Sequence, residues 1–117
     1  MTPSELAWKA VAVLRSNELG RGRYCKRNLT GGHVTSISYC MLGAIMHADG
    51  CGFTGHVQED EADLSWYRPS PECGQLVDEL ARVVQHRHPH EWSDRAERTK
   101  AEVIAALEIA AARLEAR

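Results

Sequence analysis

Three stretches of the chain repeat apolar residues every three or four positions, which predicts amphipathic helices. Each stretch begins with residues that favour a helix start, because positions 2–5, 70–72 and 99–102 combine a capping hydroxyl with a proline or glutamate in the first turn. The apolar stripes are Leu6, Ala10, Val13 and Leu14; Cys73, Leu76, Leu80, Val83 and Val84; and Val103, Leu107, Ala110 and Leu114.

Residues 39–48 are almost all apolar or small, which predicts a helix that is buried on most of its sides. Residues 21–38 predict a loop with a short extended piece, which is basic over residues 21–27 and is broken at Gly31 and Gly32. Residues 51–69 predict a long surface connection. We therefore predict a mainly α fold, a compact single-domain helical bundle of about four helices around the central helix 39–48, with residues 1–117 as one domain.

The charge of the chain is uneven, although its formal net value is only −2. Residues 1–57 carry six basic and three acidic side chains, whereas residues 58–117 carry eight basic and thirteen acidic ones. This distribution excludes a uniformly basic nucleic-acid-binding protein. No stretch approaches the roughly 18 apolar residues that span a bilayer, and no secretion signal begins the chain. We expect a cytoplasmic protein with reduced thiols, no membrane contact and no cofactor.

Cys40 is the candidate nucleophile, because a thiol near a helix start can have a lowered pKa. His33, His47 or His86 could act as its base. Packing in the core is the favoured interpretation, because Cys40 lies among core-forming residues and no third, orienting group is evident. A Cys25–Cys40 disulfide is disfavoured in a reducing cytoplasm.

Metal binding is a further hypothesis for the cysteines and histidines. The cysteines lack the close spacing with which one turn holds two zinc ligands. His86, His88 and His90 alternate, and in an extended strand their three imidazoles would point the same way. A solvated loop between two helices is the favoured interpretation of these histidines, so they remain weak candidates for a metal site.

Aromatic and arginine residues suggest protein binding, because such residues concentrate at interaction hot spots. The candidate contact residues are Trp66, Tyr67 and Arg68, beside the acidic run 59–63, together with Arg23 and Arg27. The basic loop 21–27 is also the candidate for nucleic-acid binding, but it offers few cations and the chain lacks a convincing recognition helix. The alanine-rich last helix fits either internal packing or a dimer interface.

Three segments resemble a family of small uncharacterised domains from actinobacteria and the phages that infect them. These segments are YCKRN, SYCMLGAI and EWSDRAERTKAEVIAALEIA, and the resemblance covers roughly residues 21–112. The family pattern has two aromatic-Cys pairs, the second running into Leu-Gly-Ala, and a Trp-Asn-Asp before an Arg-Thr-x-x-Glu-Val helix. Tyr24 and Tyr39 stand where Trp is usual, and Ser93 replaces the Asn.

The resemblance implies a setting rather than an activity, namely a small accessory protein that is phage-borne. We predict a non-enzymatic module that binds another protein, which would be a host protein for a phage gene. The alternatives are a cysteine-dependent enzyme or metal-binding protein that uses Cys40, and a nucleic-acid-binding regulator that uses the basic loop 21–27.

Overall fold

The computed structural model describes residues 1–22, 24–51 and 68–117. Within these ranges the chain forms five helices and three strands. In chain order they are α1 (Pro3–Ser16), β1 (Glu18–Leu19), β2 (Cys25–Thr30), β3 (His33–Tyr39), α2 (Met41–Ala48), α3 (Pro71–Val84), α4 (Pro89–Ser93) and α5 (Lys100–Glu115). No helix among the described residues is both long and apolar enough to cross a membrane.

The predicted helix starts are confirmed at α1, α3 and α5. Thr2 Oγ1 accepts a hydrogen bond from the Glu5 amide at 3.1 Å, and the Glu5 carboxylate accepts one from the Thr2 amide at 3.3 Å. Thr99 and Glu102 form the same reciprocal capping box at α5. Ser70 Oγ accepts the Cys73 amide at α3. These caps satisfy amide groups that a helix cannot pair internally, so the starts are encoded locally.

The core lies where α1 meets α2, α3 and α5. Small side chains on α5 allow it to approach α1 closely, whereas larger aliphatic side chains on the other helices fill the remaining space. The buried residues include Leu6, Ala10, Leu14, Met41, Ile45, Leu76, Leu80, Val103, Leu107 and Ala110.

The predicted helical bundle is wrong, because the chain also forms a three-stranded mixed sheet with strand order β1-β3-β2. The Gly31-Gly32 pair, which we interpreted as a break in a loop, is a two-residue turn between β2 and β3. Both glycines have positive φ, 58° and 81°, as the tight turns that suit a twisted hairpin require. The alternating residues on either side of this turn therefore pair with each other.

The predicted central helix 39–48 begins two residues late, at Met41. Tyr39 ends β3, where it is paired with Cys25 of β2 and Leu19 of β1. Cys40 is the N-cap of α2, and its Sγ accepts a hydrogen bond from the Gly43 amide at 3.2 Å. A cysteine thus takes the capping place that serine or threonine usually holds.

The α2 helix approaches β2 very closely at one glycine. A Cβ built on Gly43 would lie 1.8 Å from the carbonyl oxygen of Tyr24 and 2.6 Å from its carbonyl carbon. The register that opposes Cys25 to Tyr39 brings the two aromatic-Cys pairs together at this point. The two Tyr-Cys pairs, at 24–25 and 39–40, therefore lie where the hairpin docks against α2.

The two faces of the sheet differ in polarity. Directly opposed residues share a face, so Lys26 with Ser38 and Asn28 with Ser36 form a polar face. The opposite face carries Cys25 and Tyr39, which are buried in the core, and Ile37, which packs against it. The alternation in the sequence is thus that of a sheet with one solvated side.

One carboxylate is buried between α3 and α5. Glu79 is 1% exposed, and it forms ion pairs with the guanidinium groups of Arg82 at 3.3 Å, Arg113 at 3.7 Å and Arg117. A buried charge is tolerated only when it is paired, and the three arginines supply that pairing. The apolar stripe of the sequence gave no sign of this carboxylate.

Candidate functional site

An open cleft of about 480 Å³ runs beside β3. One wall is formed by residues 15–18, where α1 ends and β1 begins, and the other is formed by residues 34–37 of β3. Lys100, the first residue of α5, lies at the rim. The cleft therefore follows the side of β3 that faces away from β2.

The short β1 strand leaves this side of β3 open. Strand β1 pairs only with Ser38 and Tyr39, so within the described residues the earlier part of β3 is paired on the β2 side alone. We refer to the unpaired side of residues 34–37 as the β3 edge. The hairpin closes at the Thr30–His33 pair, and the next pair, Leu29–Val34, precedes the bulge that lies between Leu29 and Asn28. The alternation of an antiparallel ladder therefore still holds at Val34 and turns its N–H and C=O towards this edge.

The opposite wall exists because α1 ends early. Asn17 adopts an extended conformation, with φ −140° and ψ 176°, and its side-chain amide donates to the Val13 carbonyl at 2.8 Å. This bond satisfies a carbonyl group of the last helical turn. The chain then passes along β3 for only two residues, so the end of α1 stands away from the β3 edge instead of covering it.

Two cations flank the cleft. The Arg15 guanidinium forms an ion pair with Glu108 at 3.2 Å. The Lys100 ammonium donates to the Asn17 carbonyl at 3.1 Å, and this contact leaves its charge uncompensated. At the hairpin end, Val34 and its cross-strand partner Leu29 are 50% and 62% exposed. The site thus combines backbone groups that no described strand pairs, an exposed apolar pair and positive charge.

The predicted protein-binding residues fall into two groups. Trp66, Tyr67 and Arg23 lie outside the described residues. Arg27 is half-buried in β2 opposite Ile37, and Arg68 is exposed two residues before the Ser70 cap of α3. Neither Arg27 nor Arg68 lines the cleft.

Cys40 is buried, with only 4% of its surface exposed. Burial raises the pKa of its thiol to about 11, the N–H of Gly43 opposes this rise, and the nearby Asp94 charge adds to it. The thiol is therefore protonated at neutral pH, which is the reverse of what a nucleophilic cysteine needs. Its capping bond to α2 gives it a structural role.

The three alternating histidines lie at the entrance to α4. His86 Nδ1 accepts a hydrogen bond from the His88 amide at 3.0 Å, and the rings of His88 and His90 lie 5.6 Å apart between centroids. Among the residues that the structure describes, no three histidine, cysteine or carboxylate side chains are grouped in a way that could hold a metal ion. The four cysteines are buried, and none of them is part of a disulfide.

The segment from Trp92 to Glu102 also has a structural role. The Arg98 guanidinium lies 4.0 Å above the Trp92 ring, donates to the Trp92 carbonyl at 3.2 Å and pairs with Glu102 at 2.8 Å. Arg21, from the predicted basic loop, donates to the carbonyls of Arg95 and Arg98. The loop is thereby attached to the turn between α4 and α5.

Sequence reasoning missed the β3 edge, although a signal for it was present. Two alternating segments around a Gly-Gly pair indicate a hairpin, and such a hairpin has two edges that need partners or solvent. What the sequence could not indicate is that β1 covers only the last two residues of β3, since that pairing connects segments about twenty positions apart.

Comparison with known proteins identifies a family for this chain but no biochemical activity. The chain belongs to a family of unknown function, DUF6197, whose model matches residues 1–113. No curated protein and no solved structure matches the chain. The resemblance to an uncharacterised family is thus confirmed over a longer range than the motifs suggested, whereas the actinobacterial and phage setting stays a prediction.

Proposed function

We propose that this protein is a non-enzymatic interaction module that binds an extended segment of a partner protein as an additional strand on the β3 edge. The observation that supports the proposal is the open cleft of about 480 Å³ beside residues 34–37. If the gene is phage-borne, as the motif resemblance implies, the partner is a host protein and the site of action is the host cytoplasm.

Backbone groups provide the affinity in this kind of recognition. The N–H and C=O groups of an edge strand are obligatory hydrogen-bonding groups, which another chain can pair in place of water. Strand β1 already pairs in parallel with Ser38 and Tyr39. A segment of the partner protein that continued the position of β1 along β3 would lie against residues 34–37. This stretch is about 13 Å long, at about 3.3 Å per residue.

Side chains around the cleft define the chemistry of the guest segment. An apolar side chain near the hairpin end would contact Val34 and Leu29, which are both exposed. An acidic side chain at the other end would approach the Lys100 ammonium, whose fixed contact is to a neutral carbonyl. A single strand suits the cleft better than the sheet of a second copy, because the end of α1 forms the opposite wall.

The test uses peptides selected from a random decapeptide display library on the immobilised protein. Their dissociation constants are then measured for the native chain, Val34→Pro and Val34→Ala. Proline removes the edge N–H and is tolerated on edge strands, whereas alanine removes only the side chain. We expect Val34→Pro to weaken binding about tenfold or more, and Val34→Ala by about threefold or less.

Amide hydrogen exchange locates the bound peptide. We expect selected peptides to slow exchange at residues 34–37, with circular dichroism showing that both variants keep their secondary structure. Equal affinity for Val34→Pro and the native chain, protection confined to another surface, or failure of the library to yield any binding peptide would each overturn the proposal.

A further inference from the structure

A second, smaller pocket of about 200 Å³ lies on the polar face of the sheet. It is lined by Gly20, Arg21, Lys26, Asn28 and Ser38, which come from β2, β3 and the segment that follows β1. We propose that this pocket binds a phosphate group, either inorganic phosphate or the phosphomonoester of a small molecule. This site is separate from the β3 edge and does not depend on the proposed strand addition.

The charge of the lining favours an anion. Arg21 and Lys26 contribute two cations, and none of the described residues that line the pocket carries a carboxylate side chain. Glu18 shares the polar face as the cross-strand partner of Ser38, but it lines the neighbouring cleft. Two cations without a lining carboxylate match a phosphate dianion, for which charge-assisted hydrogen bonds are strong.

The Ser38 hydroxyl is oriented to donate. Asn28 Nδ2 donates to Ser38 Oγ at 2.8 Å and to Ser36 Oγ at 3.1 Å, which uses both hydrogens of the amide. Since Ser38 Oγ accepts from Asn28, its own hydrogen remains available for a ligand oxygen. The sheet therefore supplies a neutral donor in addition to the two cations.

The Arg21 side chain is held in position before any ligand arrives. Its Nε donates to the Arg95 carbonyl at 3.0 Å, and its Nη2 donates to the Arg98 carbonyl. Of the five N–H donors of a guanidinium, these bonds use two, and both acceptors are uncharged, so the positive charge is kept. A cation that is already ordered loses less conformational entropy when it binds an anion.

Gly20 keeps the pocket from being filled. Its amide donates to the Tyr39 carbonyl at 2.9 Å, which fixes it beside β3. A Cβ at this position would lie 3.1 Å from Ser38 Cβ, closer than ordinary contact. The absence of a side chain therefore leaves room over the Ser38 hydroxyl.

The test is a titration of the ¹⁵N-labelled protein followed by NMR, at constant ionic strength and a pH where phosphate is a dianion. Inorganic phosphate and O-phosphoserine are the two probes, and chloride replaces them in the reference titration. We expect saturable shifts at the amides of Gly20, Arg21, Lys26 and Ser38. Tighter binding of O-phosphoserine would identify a phosphomonoester ligand, and binding of phosphate alone would identify the free anion.

Three variants separate a built site from general attraction to positive charge. Lys26→Gln should weaken binding about tenfold, because it removes one charge-assisted contact, and Ser38→Ala should weaken it several-fold. Lys9→Gln removes an exposed cation on α1, outside the pocket, and should leave the affinity unchanged. Shifts that do not saturate, or equal effects of Lys26→Gln and Lys9→Gln, would overturn the inference.

Discussion

Replacing Gly43 with alanine tests the docking of the hairpin on α2 most directly. The new Cβ would lie 1.8 Å from the Tyr24 carbonyl oxygen and 2.8 Å from the Tyr24 Cα, and both atoms belong to the backbone. Ordinary contact begins at 3.4 Å, so α2 and the backbone of Tyr24, the residue before β2, would have to separate by about 1.6 Å. No change of rotamer can relieve such a clash, because the backbone itself must move.

The change that Gly43→Ala makes to the free energy of unfolding is the sum of two opposing effects. Overpacking a core by a methyl group costs about 1–3 kcal/mol, and more where the backbone must move. Alanine stabilises a helix by about 1 kcal/mol relative to glycine, because it has the higher helix propensity. We expect Gly43→Ala to lower the free energy of unfolding by about 2 kcal/mol or more. With a urea dependence of about 1–3 kcal/mol per M, the unfolding midpoint would fall by roughly 1 M.

Urea unfolding followed by circular dichroism measures this effect, and Gly74 provides the matched control. Gly74 lies in α3, and a Cβ there would meet nothing within 4 Å. Gly74→Ala should therefore raise stability by up to about 1 kcal/mol, so the two substitutions are expected to differ in sign. If Gly43→Ala were as stable as the native chain, the close approach of α2 to Tyr24 would not exist in solution.

Two further predictions concern the motif residues. Burial raises the pKa of the Cys40 thiol to about 11, so stability from the neutral thiol is complete below about pH 9 and is lost as the pH rises. Between about pH 9 and about pH 11, the free energy of unfolding should fall by roughly 2–3 kcal/mol more in the native chain than in Cys40→Ala. Parallel curves of unfolding free energy against pH would contradict this prediction. Arg98→Lys should cost about 1–2 kcal/mol in urea unfolding, because lysine loses the planar stacking on Trp92. Arg95→Lys, at an exposed side chain, is its control, and equal losses would refute the role of the stacking.

The helices could be predicted because their signals are local. A capping box such as Thr99 with Glu102 spans four residues, and an apolar stripe spans a few turns, so both are visible within one segment. The short α4 helix was missed, because its five residues lie within the predicted loop and are too few to show a period. Its start at Pro89 follows the preference of proline for the first helical turn.

The sheet and the cleft depend on pairing between distant segments, which a local pattern does not specify. The Gly31-Gly32 pair is equally compatible with a loop and with a hairpin turn until the flanking strands are aligned. The parallel pairing of Glu18 with Ser38 joins a two-residue strand to a distant one, and two residues carry no periodicity. The candidate ligand sites were therefore less predictable than the helices that support them.

The motif residues act mainly as a scaffold for the two candidate binding surfaces. Cys40 and Gly43 fix the hairpin against α2, and Trp92 with Arg98 fixes the turn that holds Arg21. The β3 edge and the pocket over Ser38 are accessible, and both involve residues of the same hairpin. Displacing that hairpin, as Gly43→Ala does, should therefore weaken peptide binding and phosphate binding together. By contrast, Val34→Pro should affect only the peptide and Lys26→Gln only the phosphate, because each changes a group that one ligand alone would contact.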